Sequence, residues 1–418
     1  MHFAGKSESF SSGSYFVLVS RVNTVVSVFG IEPARIGGAE AYARELSIQL
    51  GKRGWKSVLC FLKEPPEAVR SYLQLPNVRI EVIEDSWRAR WRAAASMRQI
   101  LRQYRPEILH LHFTGFIGPY PWLAKLCGVE RVFFTDHSSH PEGYVVSRAP
   151  FWKRRLARLI NRPMTGVITV SDYGYRCVAG RDLVPFKRLR MIYNSADLSW
   201  ATDAGALAAE FRRKHSIPQD RTLVVQVSWI IPEKGIGDLL AAARLVISQN
   251  PDVHFVFVGE GSYRAQYMRR AAEMGIEDHV TWTGQVEDPI SEGVYAAADV
   301  VCQVSRWEEV FGYVIAEAMS SSKPLVATRV GGIPELVEDE RTGFVVDRGD
   351  APAIADRILK LVADLEMRER MGLAGREAAA ARFDLERNVE RVVNLYGIEA
   401  SESVNSAREG LVSVGCSQ

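Results

Sequence analysis

Residues 222–258 read TLVVQVSWIIPEKGIGDLLAAARLVISQNPDVHFVFV and show the clearest alternation of secondary structure in the chain. The two ends of this stretch, residues 222–229 and 253–258, are short apolar runs rich in valine and phenylalanine, which predict buried strands. The residues between them, 235–249, follow a helical pattern. A strand, a helix and a second strand in this order are typical of a parallel sheet with helices packed on its faces.

The same alternation continues along most of the chain in two series. Six apolar runs precede this stretch and predict the strands of the first series, at residues 24–30, 56–62, 107–113, 131–135, 166–170 and 189–193. Four more runs follow it and complete the second series, at residues 279–283, 299–304, 324–328 and 343–346. An Ala-rich, polar stretch from Asp197 to about Gln219 separates the two series. This order predicts an α/β protein of two doubly wound domains.

Length and composition bound the class of protein. With 418 residues the chain is longer than one hydrophobic core supports, and its 47% hydrophobic and 24% charged residues are ordinary for a globular protein. The net charge of +2 gives no general reason to expect nucleic acid as a partner. Five scattered cysteines without CxxC spacing argue against a disulfide framework or a zinc site and favour a reducing cytoplasm. Residues 1–14 show no secretory signal and no apolar run is long enough to span a bilayer, so we expect any membrane contact to be peripheral.

Loops that leave the carboxyl ends of parallel strands are where such folds bind ligands. Gly37 and Gly38 follow the first strand and open a helix over residues 38–53, which directs backbone N–H groups outward at the positive end of the helix. The alternative is a tight turn without a ligand. Lys234 stands in the loop after residues 222–229, where an ammonium group can clamp a diphosphate. An exposed turn lysine is the alternative.

Residues 305–319, SRWEEVFGYVIAEAM, place one carboxylate, Glu309, in a loop and another, Glu317, in the following helix. If that helix starts near Phe311, Glu317 lies about 9 Å along its axis, so the two carboxylates are too far apart to share an atom. A hydrolase would use such a pair to flank one glycosidic bond. Alternatively, Glu317 holds a ribose and Glu309 a hexose, with the amides of Phe311, Gly312 and Tyr313 facing a diphosphate between them. Taken alone, the pair is also compatible with two solvated surface charges.

Together these residues resemble glycosyltransferase family 4, whose members have the two-domain fold called GT-B. The resemblance covers nearly the whole chain, and its motifs lie at residues 37–40, 135–137, 192–197, 232–235, 258–261, 309–317 and 330–335. The Glu-x7-Glu spacing beside Phe-Gly is specific, whereas the other motifs count collectively. The resemblance implies an α/β fold of two Rossmann-like doubly wound domains that face an inter-domain cleft.

The resemblance also implies a role for each motif. Lys234 would hold the donor diphosphate, Glu317 the ribose, Glu309 the donor sugar hydroxyls, and His137 a sugar hydroxyl near the reacting face. His137, Lys234 and Glu309 are therefore the expected catalytic residues. The remaining donor-binding positions are expected at Gly37, Gly38, Gly259, Gly261, Phe311, Gly312 and Tyr313. Such enzymes typically work without a metal, and the leaving phosphate helps to deprotonate the acceptor, so we expect no metal ligands and no cofactor besides the nucleotide-sugar co-substrate.

The implied function is retaining transfer of a hexosyl group from a UDP- or GDP-sugar to a saccharide or lipid-linked acceptor. Residues 1–200 would form the acceptor-side domain, 201–220 a linker and 221–384 the nucleotide-sugar-binding domain. Residues 385–400 would be a C-terminal helix that crosses back to the first domain, and 401–418 a loose tail. The expected location is the cytoplasm, including peripheral contact with the anionic inner face of the membrane.

The sequence departs from the family at one phosphate-binding position. The family usually carries Gly-Arg where this chain has Ser228 and Trp229, so Lys234 lacks its usual arginine neighbour. Arg306 and Arg264 are the candidates to replace that charge. The departure leaves a catalytically weak nucleotide- or sugar-binding scaffold as one alternative, and another sugar-nucleotide enzyme on the same fold is a second.

Two further patterns admit both a functional and a structural interpretation. His110 and His112 alternate on a predicted strand, and we expect them on opposite faces of the sheet in structural roles, not as metal ligands. Residues 87–105 and 148–162 combine arginines with tryptophan and leucine in a basic amphipathic pattern. Helices of this kind can rest on anionic lipid. The alternative is a domain-packing helix with a solvated arginine face.

Overall fold

The protein is described by a computed structural model that covers residues 22–83, 90–196 and 203–399. The first 14 residues and the tail at 401–418 lie outside the described residues. Of the predicted linker at 201–220, only residues 201 and 202 lie outside them. Residues Ala204–Lys214 form a helix and not an irregular linker, because Phe211 is buried in the same apolar cluster as Leu223. Within the described ranges, no helix combines the length and the apolar character needed to cross a bilayer.

Two parallel sheets organise the described chain. The first sheet contains β1 (Thr24–Phe29), β2 (Lys56–Phe61), β3 (Val78–Val82), β4 (Ile108–His112), β5 (Arg131–Asp136), β6 (Gly166–Thr169) and β7 (Leu189–Met191). The second contains β8 (Thr222–Val227), β9 (Val253–Val258), β10 (Val280–Gly284), β11 (Val300–Gln303), β12 (Leu325–Thr328) and β13 (Gly343–Val346). The predicted strands are confirmed, with their ends shifted by no more than two residues.

Helices connect consecutive strands in both sheets. Those of the first half are α1 (Gly38–Lys52), α2 (Glu67–Leu73), α3 (Arg90–Tyr104), α4 (Tyr120–Leu126), α5 (Phe151–Ile160) and α6 (Asp172–Arg181). Those of the second half are α7 (Ala204–Lys214), α8 (Ile236–Gln249), α9 (Arg264–Glu273), α10 (Val294–Ala297), α11 (Tyr313–Ser320), α12 (Ile333–Leu336), α13 (Ala351–Ala363), α14 (Leu365–Arg382) and α15 (Leu385–Leu395). The alternation confirms the predicted α/β class.

The order of strands locates the ligand-binding edge of each sheet. The first sheet runs β3-β2-β1-β4-β5-β6-β7 and the second β10-β9-β8-β11-β12-β13. In each, the chain reverses its direction of winding beside the first strand, between β1 and β4 and between β8 and β11. Ligands bind in the crevice that opens at the carboxyl ends of such a strand pair. In the second sheet these ends lead directly into the Lys234 and Glu309 loops.

Burial explains which strands the sequence revealed. Every residue of β1, β4 and β9 is buried, because helices cover both faces of each sheet. Each fully buried valine, leucine or phenylalanine side chain contributes about 1.5–3 kcal/mol to folding. Strand β3, which was not predicted, is an edge strand that is buried only at Val78 and carries Arg79 and Glu81.

The C-terminal helix α15 packs on the first sheet. Val389, Val393 and Tyr396 are buried in one apolar cluster with Val25 of β1 and Leu46 of α1. At one end of α15, the Gln49 side-chain amide donates a hydrogen bond of 2.8 Å to the Glu386 carbonyl. The chain therefore returns from the second sheet to cover the first one.

Candidate active site

The second sheet positions Lys234 through a glycine. Lys234 ends a short 3-10 turn, Pro232–Lys234, in the loop after β8. Gly235 follows with φ of 69°, and a Cβ atom there would collide with the carbonyl oxygen of Val304. Only glycine combines this positive φ with so close an approach. The Lys234 loop is thereby held against the end of β11.

Lys234 and Glu309 form an ion pair. The Nζ atom of Lys234 lies 2.5 Å from Oε1 of Glu309, and Oγ of Ser305 lies 2.7 Å from the same carboxylate oxygen. The other oxygen of Glu309 is 3.5 Å from Oγ of Ser139, which belongs to the loop after β5 in the first domain. The predicted diphosphate cation and the predicted sugar carboxylate are therefore direct neighbours at the domain interface.

Glu308, which the sequence analysis did not select, fixes the Glu309 loop. One of its carboxylate oxygens accepts hydrogen bonds from Nη2 of Arg348 at 2.7 Å and from the Gly143 amide at 3.2 Å. The other accepts from the Gly331 amide at 2.7 Å. The backbones of Glu308 and His140 also exchange two hydrogen bonds of 3.0 Å across the interface. The sequence offered no signal beyond adjacency to Glu309, because all these partners are distant in the chain.

The predicted anion site at the start of α11 keeps its backbone donors available. The helix begins at Tyr313 and not near Phe311, so Glu317 lies only about 6 Å along its axis. Gly312 caps it with φ of 91°. The amides of Phe311, Gly312 and Tyr313 donate no hydrogen bond to other described residues. The Phe311 side chain itself is part of the core and does not line the cleft.

Glu317 is buried on α11. Its carboxylate accepts a hydrogen bond of 2.5 Å from the hydroxyl of Tyr295. Burial raises the pKa of Glu317, whereas the Tyr295 hydrogen bond and the positive charge of Arg35 lower it. Arg35 lies in the loop after β1, so a first-domain cation stands near the predicted ribose carboxylate; the sequence analysis did not identify it.

The predicted glycines divide into two groups. A Cβ at Gly38 would collide with the ring of Tyr313, so this glycine lets the first domain approach α11. Gly37 is extended and its amide donates to the Glu40 carboxylate at 3.1 Å. Cβ atoms at Gly259 and Gly261 would collide with the carbonyl oxygens of Ser228 and Ile230. These two glycines therefore pack the loop after β9 against the loop that carries Lys234.

His137 lies on the first-domain side, where it stacks on Phe113 with ring centroids 3.9 Å apart. Burial lowers the pKa of His137 to about 3, so its imidazole is neutral at physiological pH. Its Nε2 is 3.3 Å from Nδ1 of His112, and its Nδ1 has no hydrogen-bond partner among the described residues. His137 lines a cavity together with Tyr42 of α1 and Tyr313 of α11.

The expectation for His110 and His112 was wrong in one respect. Residues two apart on a strand point to the same face, and the two rings indeed lie with centroids 3.9 Å apart. His110 is held by Tyr396 at 2.5 Å and by Thr135 at 2.7 Å. This bonding gives His110 the structural role that was predicted.

Both arginines considered as replacements for the missing family arginine have carboxylate partners. Arg306 makes two hydrogen bonds of 2.7 Å to Asp238. Arg264 contacts Glu260 at 3.1 Å. Trp229, which stands where the family carries arginine, is exposed. Neither guanidinium offers an unpartnered charge beside Lys234.

Glu335 joins the two domains, and the sequence analysis gave it no role. Its carboxylate accepts hydrogen bonds from the Asp172 and Tyr173 amides at 2.8 and 2.6 Å, at the start of α6 in the first domain. A carboxylate at a helix start satisfies otherwise unpaired amides and the helix dipole. The preceding Gly332 donates to the Glu309 carbonyl at 2.7 Å, so the same loop supports the Lys234–Glu309 pair.

Comparison with known proteins agrees with this arrangement. Two family models match the chain, Glycosyltransferase Family 4 over residues 36–200 and Glycosyl transferases group 1 over residues 208–378. The chain is 29% identical over 310 residues, 72% of its length and 79% of the relative, to alpha-D-kanosaminyltransferase of Streptomyces kanamyceticus. It is 30% identical over 296 residues, 68% of its length and 75% of the relative, to the GDP-mannose-dependent alpha-(1-6)-phosphatidylinositol monomannoside mannosyltransferase of Mycolicibacterium smegmatis.

The fold is shared with solved structures. The crystal structure of Anabaena HepE in complex with UDP and glucose superposes with a TM-score of 0.73 at 19% identity, over 90% of this chain and 99% of that one. From the two family matches, the relatives and this common architecture, we conclude that the chain belongs to glycosyltransferase family 4 and is a transferase with the GT-B fold.

Proposed function

We propose that the protein is a retaining, metal-independent hexosyltransferase that uses a UDP- or GDP-sugar and a saccharide or lipid-linked acceptor. The observation that carries the proposal is the 2.5 Å contact between Lys234 and Glu309 at the ligand-binding edge of the second sheet. This contact supports the proposal because an ammonium group can bind a diphosphate and the neighbouring carboxylate can accept hydrogen bonds from a sugar. A nucleotide-diphosphate sugar presents these two groups side by side.

The donor lies across the start of α11 in this proposal. The diphosphate interacts with Lys234 and with the amides of Phe311, Gly312 and Tyr313, which have no other partner among the described residues. The sugar hydroxyls bind Glu309 and the ribose binds Glu317. One relative is named as a kanosaminyltransferase and another as GDP-mannose-dependent, so the proposal specifies neither the base nor the sugar of the donor.

The positive charge that the leaving diphosphate needs comes from the protein itself. The Lys234 ammonium and the helix-start amides stabilise charge that grows on the departing phosphate. Among the residues that the structure describes, no group of three His, Cys, Asp or Glu side chains is placed to hold a metal ion. We propose that the Lys234 ammonium and the helix-start amides take the place that a metal ion would have at the diphosphate.

His137 acts as a hydrogen-bonding group and not as the base. With a pKa of about 3 its imidazole is too weak a base to remove a proton from a hydroxyl at neutral pH. The departing phosphate oxygen accepts the acceptor proton instead, on the same face as the new bond, which retains the anomeric configuration. The acceptor enters the cavity that His137, Tyr42 and Tyr313 line.

A cytoplasmic location also belongs to the proposal. Cys60, Cys127, Cys177 and Cys302 are free thiols, which suits a reducing compartment.

A catalytically weak binding scaffold is the second candidate, and one observation favours it. The arginine that usually assists Lys234 is absent, and the paired Arg306 and Arg264 do not replace it. Turnover decides between the two. We expect at least one UDP- or GDP-sugar to be consumed in the presence of a saccharide or lipid-linked acceptor, with unchanged rate in EDTA and with retained anomeric configuration by NMR. Nucleotide-sugar binding without any transfer supports the scaffold, and EDTA-sensitive or inverting transfer refutes the mechanism.

A further inference from the structure

The helix α5 turns its apolar side to solvent. Phe151, Trp152, Leu156 and Leu159 are 63%, 67%, 49% and 57% exposed. At 100° per residue, Trp152, Leu156 and Leu159 share one face, opposite the buried Ala157. An ordinary surface helix buries its apolar stripe and exposes its polar residues. In α5 these apolar residues are exposed together with Lys153 and Arg155, so this face lacks a partner within the described chain.

Helix α4 extends the same surface. The indole nitrogen of Trp122 donates a hydrogen bond of 3.2 Å to the Leu159 carbonyl, which places the two helices side by side. Leu126, one turn after Trp122, is 83% exposed. We call this surface the outer patch, and it consists of Trp122, Leu126, Phe151, Trp152, Leu156 and Leu159.

Positive charge surrounds the outer patch. Lys125, Lys153, Arg155 and Arg162 are exposed around it, and Phe151–Ile160 contains no acidic residue. On the other side of α5, Arg148, Arg154 and Arg158 converge on Asp182. Three guanidinium groups against one carboxylate leave a further positive excess. The patch thus combines exposed tryptophan and leucine with an excess of nearby cations on α4 and α5.

Helix α3 shows that a basic amphipathic sequence does not by itself leave its apolar residues exposed. Its sequence is similarly basic and amphipathic, but Ala93, Met97 and Leu101 are buried. Arg92, Arg98 and Arg102 face solvent. The predicted domain-packing helix with a solvated arginine face is therefore what α3 is, over the part of that pattern the structure describes.

We propose that the outer patch docks the enzyme on an anionic membrane surface. Exposed aromatic and aliphatic side chains insert at the level of the lipid headgroups, and flanking Lys and Arg attract anionic lipids. A protein partner would also accept apolar side chains, but the excess of cations over carboxylates around α5 matches a uniformly negative surface. The occupant is therefore an anionic bilayer.

The patch is connected to the candidate active site through one segment of chain. Gly143, which contacts Glu308, precedes Phe151 by eight residues, a span of at most about 28 Å. Docking through α5 therefore keeps the Glu308 loop within about 28 Å of the docked helix. If the proposed function holds, on which this step rests, the acceptor is the lipid-linked one of the two classes.

Flotation of the full-length protein tests docking without any assay of activity. The probes are vesicles of phosphatidylcholine alone and of phosphatidylcholine mixed with phosphatidylglycerol. We expect the parent to float only with the anionic vesicles, and less so at high salt. Two variants, Trp152→Ser with Leu159→Ser and Arg155→Glu with Arg162→Glu, are expected to lower the bound fraction by about tenfold or more. The matched control Arg98→Glu with Arg102→Glu on α3 makes the same charge change and is expected to float like the parent.

Each other outcome overturns the proposal. Docking is refuted if the parent does not float with anionic vesicles or floats equally with neutral ones. It is also refuted if the α3 control loses as much vesicle binding as the α5 variants. Sedimentation gives a further outcome. If the parent does not bind vesicles but forms a dimer, and the Trp152→Ser and Leu159→Ser changes convert it to a monomer, a second copy covers the patch. Melting temperatures and stabilisation by UDP- or GDP-sugars, measured without vesicles, check that the variants fold and report separately on the proposed function.

Discussion

The Nζ atom of Lys234 lies 2.5 Å from Oε1 of Glu309, although the two residues leave different strands of the second sheet. Glu309 is buried, so removal of its cation leaves a carboxylate without charge compensation. We expect Lys234→Ala to lower the free energy of unfolding by about 1–3 kcal/mol. Adding Glu309→Gln to that variant is expected to restore part of the loss, since it removes the uncompensated charge. Urea unfolding measures both, and equal stability of the Lys234→Ala variant and the parent would show that the pair is not formed.

A substitution at Glu317 is expected to change stability and donor binding in different directions. Burial raises its pKa above the usual value of 4.5, so the folded protein bears a cost for keeping the carboxylate ionised at neutral pH. Because the folded pKa is the higher one, the group stabilises the fold only when protonated, and that contribution is lost as pH rises through the folded pKa. We expect Glu317→Gln to melt at or above the parent temperature at neutral pH, with the difference shrinking towards acid pH. The same change is expected to weaken nucleotide-sugar affinity by about tenfold or more, through the lost charged hydrogen bond. A variant that melts lower and binds normally contradicts both statements.

Glu335 is expected to hold the two domains together. Glu335→Ala leaves the amides of Asp172 and Tyr173 without their carboxylate partner, which costs about 1–2 kcal/mol as for other helix caps. Asp350→Ala is the matched control, because Asp350 caps α13 through a 2.9 Å hydrogen bond to the Ala353 amide within one domain. Both variants are expected to lose similar stability, but only Glu335→Ala is expected to increase the radius of gyration in small-angle scattering. An equal radius for the two variants would remove Glu335 from this role.

The buried histidines predict how stability depends on pH. Burial lowers the pKa of His110 and of His137 to about 3, from an ordinary value of 6.5. Since the folded pKa is the lower one, the unfolded chain binds protons first as pH falls. Their contribution to stability is complete above pH 6.5 and is lost progressively towards pH 3. We expect the free energy of unfolding to decrease as the pH falls from 6.5 towards 3. We also expect His137→Gln to leave the pH profile of kcat/KM near pH 6.5 unchanged. An inflection near pH 6.5 that this variant abolishes would identify His137 as the base.

Sequence patterns predicted what depends on neighbours in the chain. The order of strands and helices followed from apolar runs such as 253–258. Lys234 and Glu309 were candidates because they follow β8 and β11, and the carboxyl ends of parallel strands share one edge of a sheet. Strand β3 was missed because Arg79 and Glu81 interrupt its apolar pattern at the edge of the sheet. Partners such as Glu335 and the start of α6 are more than 150 residues apart, and no local pattern encodes their contact.

Helices α3 and α5 also show what a local sequence pattern does not predict. Periodicity indicates that a helix has an apolar and a basic face, but it does not indicate which face the rest of the fold covers. Met97 and Leu101 are buried in α3, whereas Trp152 and Leu159 are exposed in α5. Only the packed structure distinguishes the two.

Calorimetric titration of UDP- and GDP-sugars into the parent, Lys234→Ala and Lys360→Ala measures directly whether Lys234 binds the donor. Lys360 is an exposed lysine of α13. We expect at least one nucleotide sugar to bind the parent and the Lys360→Ala control alike, and to bind Lys234→Ala about 10- to 100-fold more weakly, as for a lost charged hydrogen bond. Binding of equal strength to Lys234→Ala, or no binding of any nucleotide sugar to the parent, would contradict the account.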